Sequence, residues 1–173
     1  MSRNGPPGAN PRTYPVAIQQ SVERSLPPPP IELRGVTVLV VDDDEPMLEA
    51  LQHLLATAHA RVVTARSVDE AITSLVRTKP DVIVSDINMP DRDGHQLLRM
   101  VRSRTVAEGG ATPAIALSGY TSQNDKTRAL LAGYQVHLSK PVSAGELLVT
   151  IRSVVGPDAC TTSSHGNSSK AVR

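Results

Sequence analysis

The sequence predicts an α/β fold in which five parallel strands form one doubly wound sheet, covered by helices on both faces. Short apolar runs recur along the middle of the chain, as is typical of strands that are buried on both sides. Each run is followed by a segment with apolar residues at helical spacing. Strands that alternate with helices form parallel sheets through right-handed crossovers, so five such pairs predict the fold class.

The first two strand–helix pairs carry the clearest signals. Residues 36–41 are almost wholly apolar and predict the first strand, and the helix after it has an apolar face over 47–58. Residues 61–65 predict a short second strand. Ser67 then begins the second helix as its N-cap, with Glu70 completing a capping box three residues later.

The other three pairs include the weakest element. Residues 82–84 and 114–117 are apolar and predict two strands, each followed by a helix. The third helix is marked by Leu97, Leu98 and Val101. The fourth helix, over 122–132, has few apolar positions. The fifth strand is predicted over 135–138, and the last helix begins after the N-cap Ser143, with Glu146 as its partner in a second capping box.

Both ends of the chain differ from this middle part. Residues 1–34 are rich in proline and include, near their end, the proline run 27–30, which favours polyproline II and resists packing. Residues 156–173 are small and polar, as is typical of disordered tails. We therefore expect one folded domain over 35–155 between two disordered termini.

Composition limits the possible functions. The net charge is +1 and aromatic residues make up 2%, so the chain lacks the positive field and the stacking surface that nucleic-acid binding requires. No stretch approaches the roughly 20 apolar residues of a membrane span. The single cysteine, Cys160, cannot form an internal disulfide, which fits a reducing compartment. We expect a cytoplasmic protein that binds neither nucleic acid nor membranes.

Charged and polar residues follow four of the five predicted strands. Residues 42–44 are three aspartates directly after the first strand, Asp86 ends the third, and Ser118 and Lys140 follow the last two. Each of these residues taken alone is more typical of a turn or a helix cap. In such sheets, however, ligands bind at the carboxyl ends of the strands, so the joint placement predicts one site.

The predicted site suits phosphoryl transfer. Clustered carboxylates repel one another, and a hard divalent cation such as Mg²⁺ relieves that repulsion. An aspartate oxygen can then attack phosphorus and form an aspartyl-phosphate. Such transfer depends on positioning and on charge neutralisation, which the metal, a lysine and a hydroxyl would provide.

The motifs around these residues resemble the conserved blocks of bacterial response-regulator receiver domains. The matching segments are VLVVDDDE, VIVSDINMPDRDG, IALSGY and HLSKPV, in this order along the chain. The resemblance covers about residues 35 to 155 and implies a flavodoxin-like receiver fold. It extends to chemotaxis regulators and, most closely, to the C-terminal receivers of hybrid sensor kinases.

The resemblance implies a role for each acidic residue. Asp86 is the phosphoacceptor, Asp43 binds Mg²⁺ directly, and Asp42 supports the metal through water. The backbone carbonyl of Asn88 completes the protein ligands. Asp44 remains an alternative ligand, although Asp42 and Asp43 are favoured because they directly follow the strand.

The resemblance also implies that Ser118 and Lys140 contact the phosphoryl group and that a cis peptide bond precedes Pro141. One position departs from the family pattern. Many members carry Tyr or Phe three residues before the lysine, whereas this chain has His137, and Tyr120 lies instead in the loop after the fourth strand. The histidine could swing inward as the aromatic residue does, or lie at the surface.

These roles predict a non-enzymatic switch in the form of a single-domain regulator. A histidine kinase or a histidine phosphotransfer protein donates phosphate to Asp86. The response then changes the face formed by the fourth helix, the fifth strand and the fifth helix, which binds an unknown protein.

Three alternatives stay open. The chain could be a detached receiver or a fragment of a hybrid histidine kinase. It could be a pseudo-receiver that binds partners without phosphorylation, although it retains Asp43, Asp86, Ser118 and Lys140. Residues 42–44 also fit the D-x-D pattern of haloacid-dehalogenase-like phosphatases, although the chain has no room for the cap of that family.

Overall fold

The computed structural model describes residues 30–90, 93–119 and 123–156. The strands are β1 (Thr37–Val41), β2 (Arg61–Ala65), β3 (Val82–Asp86), β4 (Ala114–Ser118) and β5 (Val136–Ser139). The α-helices are α1 (Glu45–Thr57), α2 (Val68–Thr78), α3 (Gly94–Arg102), α4 (Gln123–Ala132) and α5 (Ala144–Val155). A short 3-10 helix, Val106–Glu108, precedes β4. The sequence pattern does not predict it, because three residues are too few to show periodicity.

The five strands are parallel and lie in the order β2-β1-β3-β4-β5. This order confirms the predicted doubly wound, flavodoxin-like sheet. β1 and β3 are neighbours, with Val41 aligned to Ser85, and β4 pairs with β5, with Ser118 aligned to Ser139. The carboxyl ends of these four strands therefore lie side by side at one edge of the sheet.

Each face of the sheet carries its own apolar core. On one face, Leu39 and Val41 of β1 belong to a cluster with buried side chains of α2, α3 and α4. On the other face, Val38 and Val40 belong to a cluster with α1 and α5. Because successive strand residues point to opposite faces, a strand covered on both sides is apolar at every position.

Both predicted N-caps are confirmed. The Ser67 hydroxyl accepts a hydrogen bond from the N–H of Glu70 at 3.3 Å, and Ser143 accepts one from Glu146 at 3.2 Å. The carboxylate of Glu70 accepts from the N–H of Arg66 at 2.9 Å, one residue before the N–H that a capping box uses. The α2 cap therefore differs from the predicted box in the partner of Glu70.

The first described residues pack against the core. Leu33 is fully buried, and its N–H donates to the carbonyl of Ala58 at 2.7 Å. Arg152 of α5 donates to the carbonyl of Glu32 at 2.9 Å. Residues 32 and 33, which precede the predicted start of the domain at residue 35, therefore pack against it.

Other predictions fall outside the described residues. They concern Tyr120, Cys160 and most of the two predicted tails. Among the helices of the described ranges, none combines the length and the apolarity that crossing a bilayer requires.

Arg102, the last residue of α3, fixes the loops before β4 and β5. Its Nη1 donates to the carbonyls of Gly110 and Thr112 at 2.9 and 2.7 Å, and its Nη2 donates to that of Gly133 at 2.8 Å. Gly133 has a φ of 108°, and a Cβ there would lie 2.9 Å from the Arg102 side chain. The glycine therefore allows both the left-handed turn and the close approach of the arginine.

Candidate functional site

Three aspartates converge at the carboxyl edge of the sheet. Asp42 directly follows β1, Asp86 is the last residue of the neighbouring β3, and Asp43 comes next to Asp42. Their carboxylates each offer an oxygen, and these oxygens lie within 4.8 Å of one another. Asp42 and Asp86 are buried and Asp43 is exposed. The structure therefore brings together the three acidic residues that the sequence predicts.

Lys140 reaches the same cluster from the end of β5. Its Nζ donates to Oδ2 of Asp42 at 2.9 Å and lies 3.3 Å from Oδ2 of Asp86. Burial alone would lower the pKa of Lys140, but the hydrogen bond to Asp42 and the charge of Asp86 outweigh it and raise the pKa above its ordinary value. The ammonium therefore stays charged. The peptide bond between Lys140 and Pro141 is cis, which confirms that prediction.

Asp86 has two oxygens in different settings. Oδ2 faces Lys140, whereas Oδ1 is buried and has no hydrogen-bond partner among the described residues. A buried carboxylate oxygen without a partner is costly and is rare in proteins. This oxygen is therefore a buried atom of the cluster with no cation or donor beside it in the part of the chain that the structure describes.

The donor set fits Mg²⁺. Three carboxylates and one ammonium leave two negative charges, which a divalent cation balances, and Mg²⁺ prefers oxygen ligands. The two oxygens of Asp42 are already occupied, one by Lys140 and the other by the N–H of Asp44 at 3.0 Å. Oδ1 of Asp86 and the exposed carboxylate of Asp43 are the groups left for direct coordination.

Asp44 has a different task. Its carboxylate caps α1 by accepting a hydrogen bond from the N–H of Met47 at 3.4 Å, and it does not belong to the cluster of three oxygens. The arrangement favours Asp42 and Asp43 over Asp44, the alternative that the sequence leaves open.

Ser118 and Asn88 lie at the mouth of the site. The Asn88 side chain donates to the hydroxyl of Ser118 at 3.4 Å. Ser118 is buried at the end of β4, and its carbonyl accepts from the N–H of Lys140 at 2.8 Å. Both residues line a cleft of about 730 Å³, which also includes Asp43. Three of the predicted site residues, Asp43, Asn88 and Ser118, thus share one concave surface.

The far wall of the cleft holds residues that the sequence analysis does not select. They are Asp93, His95, Asp125 and Arg128. They belong to α3, its N-cap and α4, and no spacing in the sequence relates the two helices to each other. His95 is nine-tenths buried, and burial lowers its pKa. Its Nδ1 has no partner within the described ranges.

His137 lies on β5, aligned with Ala116 of β4. Both of its ring nitrogens are buried, and neither has a hydrogen-bond partner among the described residues. Burial lowers the pKa of His137, and the positive charge of Lys126 on α4 lowers it further. The imidazole is therefore neutral at neutral pH.

Comparisons with known proteins agree with this geometry. The model of the response regulator receiver domain family matches residues 38–152. The solved chemotaxis protein CheY4 of Vibrio cholerae superposes with a TM-score of 0.65 at 32% identity, over 69% of this chain and 98% of that one.

Two relatives of different length contain a sequence similar to this chain. A protein described as "Uncharacterized 14.6 kDa protein in sodA1 3'region" of Leptolyngbya boryana is 38% identical over 116 residues, which cover 67% of this chain and 87% of that protein. Hybrid signal transduction histidine kinase D of Dictyostelium discoideum is 33% identical over 129 residues, which cover 71% of this chain but 8% of the kinase. From its fold, its site and these matches, the chain belongs to the family of response-regulator receiver domains of two-component systems.

Proposed function

We propose that Asp86 accepts a phosphoryl group from a phosphohistidine of a histidine kinase or a histidine phosphotransfer protein. The domain over 35–155 then changes its contacts with a further protein. The observation that carries this proposal is the setting of Asp86, which is buried, faces a charged lysine with one oxygen and has a second oxygen that no described residue pairs. The exchange would take place in the cytoplasm, where ATP replenishes the phosphohistidine.

The transfer forms one bond and breaks one. An oxygen of the Asp86 carboxylate forms an O–P bond while the N–P bond of the phosphohistidine breaks, and the electron pair of that bond returns to the imidazole. Lys140 already contacts the carboxylate and neutralises charge on one phosphoryl oxygen. The hydroxyl of Ser118, which lines the cleft with Asp43 and Asn88, donates to another oxygen.

Asp43 and Asp86 are the proposed direct ligands of Mg²⁺, with the backbone carbonyl of Asn88. Asp42 supports the site without binding the metal directly, because its two oxygens bind Lys140 and the N–H of Asp44. When bound, Mg²⁺ supplies positive charge that offsets the carboxylates and the incoming phosphoryl group.

The response is proposed to travel through β4 and β5 to the face formed by α4, β5 and α5. The bond from the Lys140 N–H to the Ser118 carbonyl, 2.8 Å long, ties the ends of the two strands together. A shift of Ser118 towards the phosphoryl group would therefore move the start of the segment that leads into α5. Leu130 on α4 and Val149 on α5 are exposed apolar side chains that a protein partner could cover.

A receiver from a hybrid histidine kinase is the second candidate. The 33% identity to the Dictyostelium kinase favours it. The two candidates share the acceptor chemistry and differ in the fate of the phosphoryl group, because a relay receiver passes it on to a histidine. In neither candidate is this chain a kinase.

Incubation with Mg²⁺ and acetyl phosphate, followed by intact mass and peptide mapping, tests the proposal. We expect the mass of one phosphoryl group on Asp86, lost in Asp86→Asn and retained in the matched control Asp44→Asn. If neither acetyl phosphate nor a panel of phosphorylated kinases and phosphotransfer proteins adds phosphate, the chain is a pseudo-receiver. Phosphate on residue 42 or 44, with turnover of phosphate esters, would instead indicate a phosphatase. Return of the phosphoryl group to a phosphotransfer histidine would favour the hybrid-kinase candidate.

A further inference from the structure

Tyr134 links the end of α4 to the backbone of the acceptor strand. It lies between α4 and β5 and is 3% exposed. Its N–H donates to the carbonyl of Ala129 at 3.2 Å and so helps to end α4. Its ring belongs to the apolar cluster between the sheet and α2, α3 and α4. Packing in the core explains why this residue has an apolar ring, but it does not explain why the ring carries a hydroxyl group.

The hydroxyl of Tyr134 points at the start of α3. It donates to the carbonyl of Gly94 at 3.0 Å, in a buried hydrogen bond between residues that lie 40 positions apart. Burial raises the pKa of the phenol far above its usual range, although the nearby hydroxyl of Ser85 works in the opposite direction. The phenol therefore keeps its proton at neutral pH and can donate this hydrogen bond.

Gly94 brings this hydroxyl against the acceptor residue. A Cβ at Gly94 would lie 2.6 Å from the backbone carbonyl oxygen of Asp86 and 2.6 Å from the hydroxyl of Tyr134. No real Cβ tolerates such contacts, so only glycine allows the three groups to meet. The N–H of Gly94 donates in turn to the carbonyl of Ile87 at 2.9 Å.

Ser85 also binds the carbonyl of Asp86. Its hydroxyl donates to that oxygen at 2.7 Å in the buried interior. The backbone of Asp86 is thus fixed by Ser85, by the tight contact with Gly94 and by the hydroxyl that anchors Gly94. The direction of a short side chain such as aspartate follows its backbone closely, because only two torsions separate the carboxylate from the main chain.

We propose that Tyr134 is a positioning residue for phosphoryl transfer and that its hydroxyl, together with that of Ser85, forms a clamp on the backbone around Asp86. The clamp holds the acceptor carboxylate in the orientation for attack and couples the C-terminal end of α4 to it. This inference rests on the proposed phosphorylation of Asp86. It adds a structural connection between α4 and the acceptor that involves neither Ser118 nor Lys140.

The test is the rate of phosphorylation of Tyr134→Phe by acetyl phosphate at saturating Mg²⁺, at a temperature well below the unfolding midpoint of every variant. The substitution keeps the ring and removes one hydrogen bond, so we expect the rate to fall about fivefold, the equivalent of one typical hydrogen bond. The dissociation constant of Mg²⁺ should change less than about twofold, because no ligand is removed.

A matched control separates positioning from stability. Thr78→Val removes another hydroxyl-to-carbonyl bond, from Thr78 to Ser74 at 2.7 Å in α2, away from the site. We expect it to lower the unfolding midpoint and to phosphorylate at the rate of the unaltered protein. Amide resonances provide a second readout, since those of Asp86, Ile87 and Gly94 should shift in Tyr134→Phe and stay in place in Thr78→Val.

Ser85→Ala tests the other half of the clamp and decides the question if Tyr134→Phe does not fold. We expect Ser85→Ala to lower the phosphorylation rate by a similar factor. The double variant should be little slower than the slower of the two single variants, because both hydroxyls act on one backbone segment. Folded variants that phosphorylate at the original rate would overturn the clamp. Failure of the unaltered protein to accept phosphate from any donor would overturn the proposed function first, and the clamp with it.

Discussion

Lys140 and Asp42 form a buried ion pair that ties the end of β5 to the end of β1. The Nζ–Oδ2 distance is 2.9 Å, the two residues are 98 positions apart, and the Asp42 side chain is 1% exposed. The same ammonium lies 3.3 Å from Asp86. A single cation therefore compensates two buried carboxylates on neighbouring strands, and the stability of the edge depends on it.

The first prediction concerns the loss of that cation. Lys140→Ala leaves Asp42 and Asp86 buried without a counter-charge, and we expect the free energy of unfolding to fall by about 2 kcal/mol. The loss is smaller than for a fully buried pair because the Lys140 side chain is 21% exposed. Mg²⁺ should recover part of it by supplying positive charge.

Urea denaturation with and without Mg²⁺ measures both effects. Lys126→Ala, an exposed lysine of α4, is the control and should leave stability unchanged. Equal stability of Lys140→Ala and the unaltered protein would show that the ion pair contributes nothing.

The second prediction separates two adjacent aspartates. Asp43→Asn removes an exposed carboxylate from the acidic cluster, so we expect Mg²⁺ affinity to fall at least about tenfold while metal-free stability stays equal or rises, as like-charge repulsion is relieved. Asp44→Asn should keep Mg²⁺ affinity, because this residue caps α1 and lies outside the cluster.

Calorimetric titration with Mg²⁺, paired with thermal unfolding, distinguishes the two variants. If Asp44→Asn loses Mg²⁺ affinity and Asp43→Asn retains it, the assignment of the metal ligands is reversed.

The third prediction is a pH dependence of stability from His95 and His137. Burial lowers the pKa of each in the folded state, so the unfolded chain binds more protons as pH falls through the ordinary histidine pKa. Their contribution is fully present above about pH 6.5 and is lost as pH falls through the lowered folded values. We therefore expect unfolding free energy to decrease from about pH 7.5 to about pH 5.5.

Urea titrations of His137→Gln and His95→Gln across that range check the prediction, and each variant should show a shallower slope. His53→Gln, on the exposed side of α1, is the control and should keep the original slope. Identical slopes in all four proteins would mean that neither buried imidazole is linked to folding.

The sequence predicts those parts of the molecule whose signal is local. Strands β1 and β3 are nearly continuous apolar runs, which the sequence pattern reveals directly. Polar residues at the end of a strand lie at the carboxyl edge of a parallel sheet, so Asp42 and Asp86 could be placed together. Helix α4 gives a weak signal because the side chains that it buries among its described residues are Ala129 and Ala132, both small.

Other parts could not be predicted because they depend on contacts between distant segments. The bond from Tyr134 to Gly94 spans 40 residues, and a tyrosine after a helix has no pattern that distinguishes it from any other core residue. His95 and Arg128 line the same cleft only because α3 and α4 pack side by side on one face of the sheet. The packing of Leu33 against Ala58 depends on tertiary contacts in the same way.

The last prediction concerns one of these distant contacts. Arg102 donates to three loop carbonyls, those of Gly110, Thr112 and Gly133, at distances of 2.7 to 2.9 Å. We expect Arg102→Ala to lower the free energy of unfolding by about 2 kcal/mol, because the carbonyls lose a charged donor and only partly regain water. Arg102→Lys should restore little, since one ammonium cannot reproduce the planar fork that reaches separate loops.

Chemical denaturation of both variants, with Arg99→Ala as a control on the exposed side of α3, measures the effect. Amide hydrogen exchange adds a local readout: the N–H of Gln135, which donates to the carbonyl of Ala114 at 2.9 Å, should lose protection in Arg102→Ala. Full stability of the lysine variant would show that charge alone, without the geometry of the guanidinium, holds the two loops.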